Sequence, residues 1–244
     1  MITQIYDTIL YYPLLNALVF LYNTIALGDL GVAIILLTLA IRIVLYPVFH
    51  KSTRHQMVMQ ELQPKLKKIQ VEHKKDMQKQ SEAMMALYKE HRVNPFSGIG
   101  LLFLQLPILI ALYQIFLNIF SPEAMNTLYA FVARPPELNS SFLGLINLAK
   151  SNMVVVGLAA LLQYVQMRMS FPKKAPGEPL SPEEKMSRRM AFIGPVLTIV
   201  IFYRLPAAIG LYWAATSLFS IAQQYIITKQ LHKEKNEGLE NIRQ

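Results

Sequence analysis

Long apolar stretches, separated by polar and lysine-rich segments, constrain the fold of this chain more than any other feature. Of its 244 residues, 53% are hydrophobic and only 16% are charged. Several stretches approach the roughly 20 residues that a helix needs to cross a bilayer, and within lipid a helix satisfies its own backbone polar groups. The sequence therefore predicts an all-α membrane protein with a bundle of five transmembrane helices. The predicted spans cover residues 29–49, 95–120, 151–169, 190–205 and 206–228.

The positions of the basic residues predict the orientation of this bundle. Lysine and arginine favour the cytoplasmic side of a membrane, so their location matters more than the net charge of +9. Residues 1–41 hold none, residues 50–93 hold ten, and the segment 121–150 holds two. We therefore expect an outer N-terminus, an outer loop at 121–150, and no specific nucleic-acid sequence as a partner. The segments expected in the cytoplasm are 50–94, 170–189 and 229–244.

The first 28 residues are apolar and rich in tyrosine, and two readings of them remain open. Asn16 and Asn23 are seven residues apart and share one face of a helix. Tyrosines and a single polar stripe suit the membrane interface, which favours a helix lying on the outer surface. The alternative is a sixth span, which would place the N-terminus inside.

The segment 50–94 is predicted to be a helical hairpin on the cytoplasmic side. Leu62, Leu66 and Ile69 follow helical spacing, and the turn is expected at residues 72–76. So short a hairpin is expected to bury no core of its own and to lean on the membrane surface or on a partner. Its basic residues include Lys65, Lys67, Lys68, Lys74 and Lys75.

Arg42 places a permanent positive charge inside the first predicted span. It precedes Phe49, the predicted inner end of that span, by seven residues, or about 10 Å of helix. One reading is that the side chain extends to the headgroups as an anchor. However, a charge within a span is costly and usually faces a protein interior or a hydrated cavity, which favours a functional role.

Other polar residues within the spans indicate what could surround Arg42. Thr38 lies one turn earlier on the same face, and apart from Asp29 at the far end of the first span the predicted spans contain no Asp or Glu to neutralise the guanidinium. An arginine buried without a carboxylate needs water, carbonyls or an incoming anion, so a hydrated groove is expected. Hydrogen bonds between helices are the alternative explanation for several of the polar residues. The residues predicted to line the groove are Gln105, Gln163, Gln166, Thr216 and Ser220.

Signals of catalysis are weak, so the chain is not predicted to be an enzyme. It contains no cysteine, and its five histidines all lie in polar segments away from the serines of the spans. No predicted span carries a carboxylate pair or a cluster of metal ligands. Neither a cofactor nor a metal is expected.

Three segments resemble the YidC family of membrane protein insertases, which includes mitochondrial and chloroplast relatives. They are EAMMALYKEHRVNPFSG at residues 82–98, LQLPILIALYQIF at 104–116 and GLYWAATSLFSIAQQYII at 210–227. The resemblance covers about residues 29–231 and implies five helices around a hydrophilic groove that opens to the cytoplasm and to lipid. It places the groove arginine of the family on Arg42 and a neighbouring polar residue on Thr38.

The resemblance also implies which residues contact a substrate. Those positions fall on Leu104, Leu106 and Leu109 of the second span and on Tyr212 and Trp213 of the fifth. The cytoplasmic hairpin would receive the substrate. One departure is LPAAIGLYW at residues 205–213, where the family often has Phe-Pro-Ala/Ser-Gly-Leu before its Leu-Tyr-Tyr/Trp.

The function implied is insertion of nascent membrane proteins into the bacterial cytoplasmic membrane without covalent chemistry. The expected partners are nascent chains, membrane lipids and, for delivery, the ribosome and the Sec translocon. An anion transporter with Arg42 as its site is an alternative, although no inverted repeat is evident. A factor that only shields the helices of other proteins, and a lipid scramblase, are further alternatives.

Overall fold

The computed structural model describes residues 2–94, 96–171 and 182–243, and these are mostly helical, as predicted. Part of the predicted cytoplasmic loop 170–189 lies outside the described residues. The elements are α1 (Ile2–Tyr6), a π-helical segment (Asp7–Tyr11), α2 (Tyr12–Thr24), α3 (Leu30–Val44), α4 (Tyr46–Glu61), α5 (Gln63–Glu72), α6 (Met77–Glu90), α7 (Ser97–Asn118), α8 (Pro122–Met125), β1 (Ser141–Phe142), β2 (Ile146–Asn147), α9 (Met153–Ser170), α10 (Pro182–Met190), α11 (Ile193–Phe202) and α12 (Ala207–Arg243).

Length and apolar composition identify two described helical runs that could cross a membrane, Thr3–Thr24 and Met153–Ser170. A third is counted if α3 and α4, which meet at a bend of 73°, form one broken span. The apolar part of α7, Phe103–Asn118, is shorter. α11 has only ten residues, which corresponds to about 15 Å of helix.

The main core is a continuous apolar cluster that joins α2, α3, α7, α9 and the start of α12. Successive turns of α2 and α3 bury one apolar face of each helix against the other, as helical periodicity requires. The members that are almost completely buried include Leu15, Leu18, Leu30, Ile34, Leu112, Ile115 and Val156. This core positions the polar residues described below.

Polar contacts attach the segment 121–150 to the N-terminal helix at one end of the bundle, called here the loop end. Asn16 accepts a 2.6 Å hydrogen bond from the Tyr129 amide, and Asn23 donates to the Ala133 carbonyl. The Tyr22 hydroxyl accepts from the Asn139 amide at 2.8 Å. The strands β1 and β2 form an antiparallel pair beside α3, in which Ser141 lies opposite Asn147 and Phe142 lies opposite Ile146. Asn16, which the sequence placed on a polar stripe, is therefore buried against protein.

The hairpin (residues 46–94) projects from the opposite end, called here the hairpin end. α5 ends at Glu72 and α6 begins at Met77, so the turn lies where the sequence predicted it. Asp76 caps α6 by accepting a hydrogen bond from the Lys79 amide. The expectation that the hairpin buries no core was wrong. It has a small cluster of its own, formed by Leu62, Leu66, Leu87 and Val93.

Two predicted boundaries differ from the helices of the structure. The first predicted span, 29–49, is not one straight helix, because α3 ends at Val44 and α4 leaves at the 73° bend. Pro47 lies in the first turn of α4, and a proline disfavours helical geometry in the residue before it. The charged segment 229–244 continues α12 as a helix as far as Arg243.

Candidate functional site

Arg42 lies in the last turn of α3, with only 6% of its surface exposed. The sequence suggested a position deep within a longer helix, but α3 ends two residues later. The carboxyl end of a helix carries partial negative charge, so a guanidinium in the last turn is stabilised there. Helix termination therefore supplies part of the electrostatic compensation for this buried cation.

Phe49 provides a second source of stabilisation, which the sequence reading missed. Its ring centre lies 4.1 Å from the Cζ atom of Arg42, and the ring is 4% exposed. A cation over a buried aromatic face is attracted by the ring quadrupole. On a straight helix the two residues would stand about 10 Å apart, so the stacking depends on the bend between α3 and α4. Pro47 was the signal in the sequence that could have indicated this bend.

Gln105 of α7 and Tyr212 of α12 complete the polar group around Arg42. The Gln105 Nε2 atom donates a hydrogen bond to the Tyr212 hydroxyl, and Tyr212 is close enough to Arg42 for an electrostatic interaction. Tyr212 is 3% exposed. We call Arg42, Phe49, Gln105 and Tyr212 the Arg42 centre. It joins three long helices and the start of the hairpin.

Within the described residues, no carboxylate forms an ion pair with Arg42. Thr38 is 1% exposed, and its hydroxyl donates to the Ile34 carbonyl of its own helix at 2.7 Å. Ser220 likewise donates to the Thr216 carbonyl at 2.9 Å. Such local bonds satisfy a hydroxyl without a partner from another helix. The charge of Arg42 is therefore held by a helix end and aromatic or neutral polar groups.

Gln163 and Gln166, both on α9, are positioned differently from the Arg42 centre. The Gln163 Oε1 atom accepts a hydrogen bond from the Thr198 hydroxyl of α11. The Gln166 carbonyl accepts from Ser170, whose hydroxyl in turn accepts from Gln224 of α12 at 2.6 Å. The bonds of Thr198 to Gln163 and of Gln224 to Ser170 fit the alternative of hydrogen bonds between helices, whereas the Ser170 bond to Gln166 reaches only the backbone of the same helix. Their predicted role in lining a groove stays a prediction.

The apolar residues predicted to contact substrate do not form one surface. Leu106 is 39% exposed, whereas Leu109 packs against the main core. Leu104 lines a cavity between α4 and α7. Leu104 and Leu106 point to different sides of α7, as a separation of two residues on a helix requires. Trp213 is half-buried and makes an edge-to-face contact with Phe202, with ring centres 5.7 Å apart.

The lysines predicted for the hairpin lie along α5 and the turn, from Lys65 near the base to Lys75 in the turn. Lys65 Nζ is 3.2 Å from the Nε2 atom of His91, which links α5 to α6. Lys67 is half-buried, and three others are exposed, namely Lys68, Lys74 and Lys75. The turn also exposes two apolar residues, Val71 and Met77. The hairpin therefore presents a basic surface with apolar side chains at its tip.

A bundle of apolar helices with a buried cation at its centre and a basic hairpin at one end is the architecture of a helical membrane protein. Comparison with known families is consistent with this class. The family model described as 60Kd inner membrane protein matches residues 20–235. The chain therefore belongs to that family, which confirms the resemblance drawn from its motifs.

Known relatives and a solved structure agree with this assignment. The chain is 34% identical over 202 residues to the membrane protein insertase YidC of Francisella tularensis subsp. novicida strain U112, covering 83% of this chain and 33% of the relative. The YidC of subsp. tularensis strain WY96-3418 gives the same values. An active YidC insertase crystal structure with its first transmembrane domain resolved matches with a TM-score of 0.59 and 26% identity, covering 90% of this chain and 46% of that one. The chain thus spans about a third of the length of these curated relatives.

Proposed function

We propose that this protein is a membrane protein insertase that receives hydrophobic segments of nascent proteins and releases them into the bilayer. The observation that carries the proposal is a buried arginine with no ion-paired carboxylate among the described residues, inside a bundle of the 60Kd inner membrane protein family. The names of its relatives as insertases support it. The proposed function requires neither a covalent step nor a cofactor.

The proposed arrangement has five spans, formed by α3, α7, α9, α11 and the first half of α12. The hairpin and the C-terminal end of α12 lie in the cytoplasm, and residues 121–150 lie outside. The ten basic residues at positions 50–93 support this orientation. Among the described residues, the hydrogen-bond partners of α2 outside its own helix belong to the loop end, which supports an N-terminal helix at the outer interface of the bacterial cytoplasmic membrane.

The Arg42 centre is the proposed site where polar parts of a client are accommodated. We propose a hydrated groove that opens toward the hairpin end and is closed by the apolar core at the loop end. An acidic tail of the client would be attracted to Arg42, whose charge is not consumed by an ion pair. Because α11 is only about 15 Å long, the bilayer beside it would be thinner than the usual hydrocarbon core of about 30 Å. Both effects lower the cost of moving polar groups across.

The hydrophobic segment of the client would leave sideways into lipid, past Leu106 of α7 and Trp213 of α12. Burial of its apolar surface in the bilayer provides the driving force. The lysine-rich hairpin is the surface that we assign to receiving the client. The same surface is the proposed binding site for the ribosome or the Sec translocon, which would deliver the client.

Insertion of one single-spanning client into proteoliposomes tests this mechanism. The client carries either an acidic or a neutral N-terminal tail, and the liposomes contain wild type, Arg42→Lys or Arg42→Ala. Arg204→Ala is a matched control. The Cζ atom of Arg204 also lies over an aromatic ring, 5.0 Å from the ring centre of Tyr203. Unlike Arg42, Arg204 is exposed and lies at the loop end, just before α12. We expect Arg42→Ala to reduce insertion of the acidic client about tenfold or more, since a charge-assisted contact contributes roughly 1.5–3 kcal/mol. Arg42→Lys should retain most of the activity, and Arg204→Ala all of it.

Other outcomes distinguish the alternatives. If both tails insert equally well with Arg42→Ala, the electrostatic role of Arg42 is wrong although insertion stands. If wild type inserts no client but carries anions across empty liposomes, the transport alternative is favoured. If it binds clients and inserts none, the protein shields helices instead of inserting them.

A further inference from the structure

A cavity of about 760 Å³ opens between the start of α4 and the start of α7, beside the bend that follows α3. We propose that this cavity binds the headgroup and upper acyl chain of one anionic phospholipid from the cytoplasmic leaflet. The proposal rests on the span arrangement above for the depth of the cavity in the membrane. Its volume lies within the range of pockets that hold small molecules.

Both walls of the cavity are apolar near the bundle and become polar toward the hairpin. Along α4, the apolar Val48 is followed by the polar Lys51, Ser52 and His55 toward the hairpin. The α7 side repeats the division, because Asn94 and Ser97 are polar and Gly100, Leu101 and Leu104 are not. Leu45 and Pro47 extend the apolar part of the α4 side. A single cavity with a polar end toward the cytoplasm and an apolar end toward the bilayer matches the polarity of a phospholipid. It matches an extended peptide less well, because half of the peptide backbone would face apolar walls.

The charge of the cavity favours an anion. Lys51 is exposed at its polar end, and none of the described residues that line it is acidic. Burial and the neighbouring cations Lys51 and Arg54 hold the pKa of His55 below its ordinary value, which indicates a positive potential at this point. Arg54 forms an ion pair with Glu234 at 2.6 Å, so Lys51 is the cation that we assign to the lipid phosphate.

The apolar end of the cavity supplies a place for the acyl chain. Val48 is 49% exposed there although it lies between the bundle and the hairpin. Gly100 is also exposed, and a Cβ atom added to it would meet no other atom within 4 Å. This open space allows a substitution that fills the cavity without displacing the backbone. Gly157 on α9 offers a matched control, since its added Cβ also meets nothing within 4 Å.

Native mass spectrometry of the full chain, titrated with phosphatidylglycerol or with phosphatidylcholine, tests the proposal. We expect one retained phosphatidylglycerol, bound about tenfold more tightly than phosphatidylcholine. Both lipids offer a phosphate to Lys51, but the choline cation of phosphatidylcholine neutralises that charge and is repelled by the basic end of the cavity. Lys51→Gln should remove the preference and Lys51→Arg should keep it. Gly100→Leu should weaken retention of both lipids. The controls Lys68→Gln and Gly157→Leu should change neither.

Several outcomes would overturn the proposal. Equal retention of both lipids by wild type, or unchanged preference with Lys51→Gln, would mean that no anionic lipid is selected here. Unchanged retention with Gly100→Leu would place the lipid elsewhere. Displacement of phosphatidylglycerol by an acidic client peptide, at one peptide per lipid, would make the cavity a client site. Insertion activity is measured separately, so a protein that retains the lipid and inserts nothing would contradict the proposed function alone.

Discussion

The bundle and the hairpin are stabilised by different amounts and kinds of contact. The bundle has an extended core with many completely buried side chains, and its loop end is joined by hydrogen bonds between residues more than 100 positions apart. The hairpin's own cluster is formed by only four buried apolar residues among those described. The difference indicates that the bundle is a fixed scaffold, whereas the hairpin can open locally at a much lower cost.

Polar contacts of Ser52 and Arg54 at the base of the hairpin join it to the rest of the molecule, and a contact of His55 closes the base itself. Ser52 donates to the Ser97 carbonyl at 3.1 Å, His55 accepts from the Asn94 amide at 3.3 Å, and Arg54 pairs with Glu234. All three involve α4, which follows the bend after Arg42. Movement of the hairpin about this base would therefore be transmitted to the vicinity of Phe49 and Arg42.

The largest expected effect comes from truncating a side chain in each core. Leu18 is 0% exposed in the bundle, and Leu66 is 4% exposed in the hairpin. Leu18→Ala should lower the free energy of unfolding of the bundle by about 2–5 kcal/mol, because the cavity left behind cannot collapse fully. Leu66→Ala should leave thermal unfolding of the bundle unchanged in detergent and increase hydrogen exchange of α5 and α6. Equal loss of bundle stability in both variants would show that the two regions unfold together.

A substitution at Gly31 probes the close contact between α3 and the segment 121–150. A Cβ atom there would lie 2.2 Å from Cδ2 of Phe142 and 2.7 Å from its Cβ, so β1 itself would have to move. We expect Gly31→Ala to destabilise the bundle by about 1–3 kcal/mol, as overpacking does. Gly157→Ala, which meets open space, is the control in the same thermal scan. No difference between the two variants would mean that the segment 121–150 is not held against α3.

Acidification should loosen the base of the hairpin before it affects the bundle. The pKa of His55 is lowered by burial and by Lys51 and Arg54, so the folded hairpin base favours the neutral ring. A lowered folded-state pKa contributes stability that is complete above the unfolded value of about 6.5 and is lost as the pH falls through the folded value. Protonation also removes the Nδ1 acceptor of the Asn94 amide.

The measurement is the distance between spin labels on α6 and α9 as a function of pH. Wild type should show growing separation below about pH 6.5. His55→Gln, whose amide oxygen accepts a hydrogen bond at any pH, should show none. The same pH response in that variant would assign the opening to other groups.

The smallest effect is expected for the Arg54–Glu234 ion pair. Both side chains are about half exposed, at 45% and 53%, so the pair contributes at most about 1 kcal/mol and is screened by salt. Glu234→Gln should increase the mobility of the hairpin at low ionic strength and leave it unchanged at high ionic strength. Exchanging the two charges, Arg54→Glu with Glu234→Arg, should restore the wild-type mobility. A salt-independent change would point to packing instead of charge.

Local patterns allowed several features to be predicted from the sequence. Leu62, Leu66 and Ile69 repeat at helical spacing, and the turn after Glu72 lies at the expected residues. The three motifs identified the family correctly. These features depend on residues close together in the chain, where spacing and composition are directly readable.

The surroundings of Arg42 were predicted only in part. Its unusual position in an apolar segment was evident, and Gln105 and Tyr212 were both named as candidates. Their hydrogen bond, and the stacking of Phe49, were not. The hydrogen bond joins residues 107 positions apart. The stacking depends on the angle of the bend between α3 and α4, which the periodicity of the sequence does not determine.

The sequence by itself determined that this chain forms apolar helices, a basic hairpin and a charge within an apolar segment, because each property resides in neighbouring residues. Only the tertiary structure decided that α3 ends beside Arg42, that Phe49 folds back over it, and that Asn16 is buried against residue 129. These arrangements are contacts between distant segments. Their geometry is set by how the helices pack, which the local pattern of any one helix does not specify.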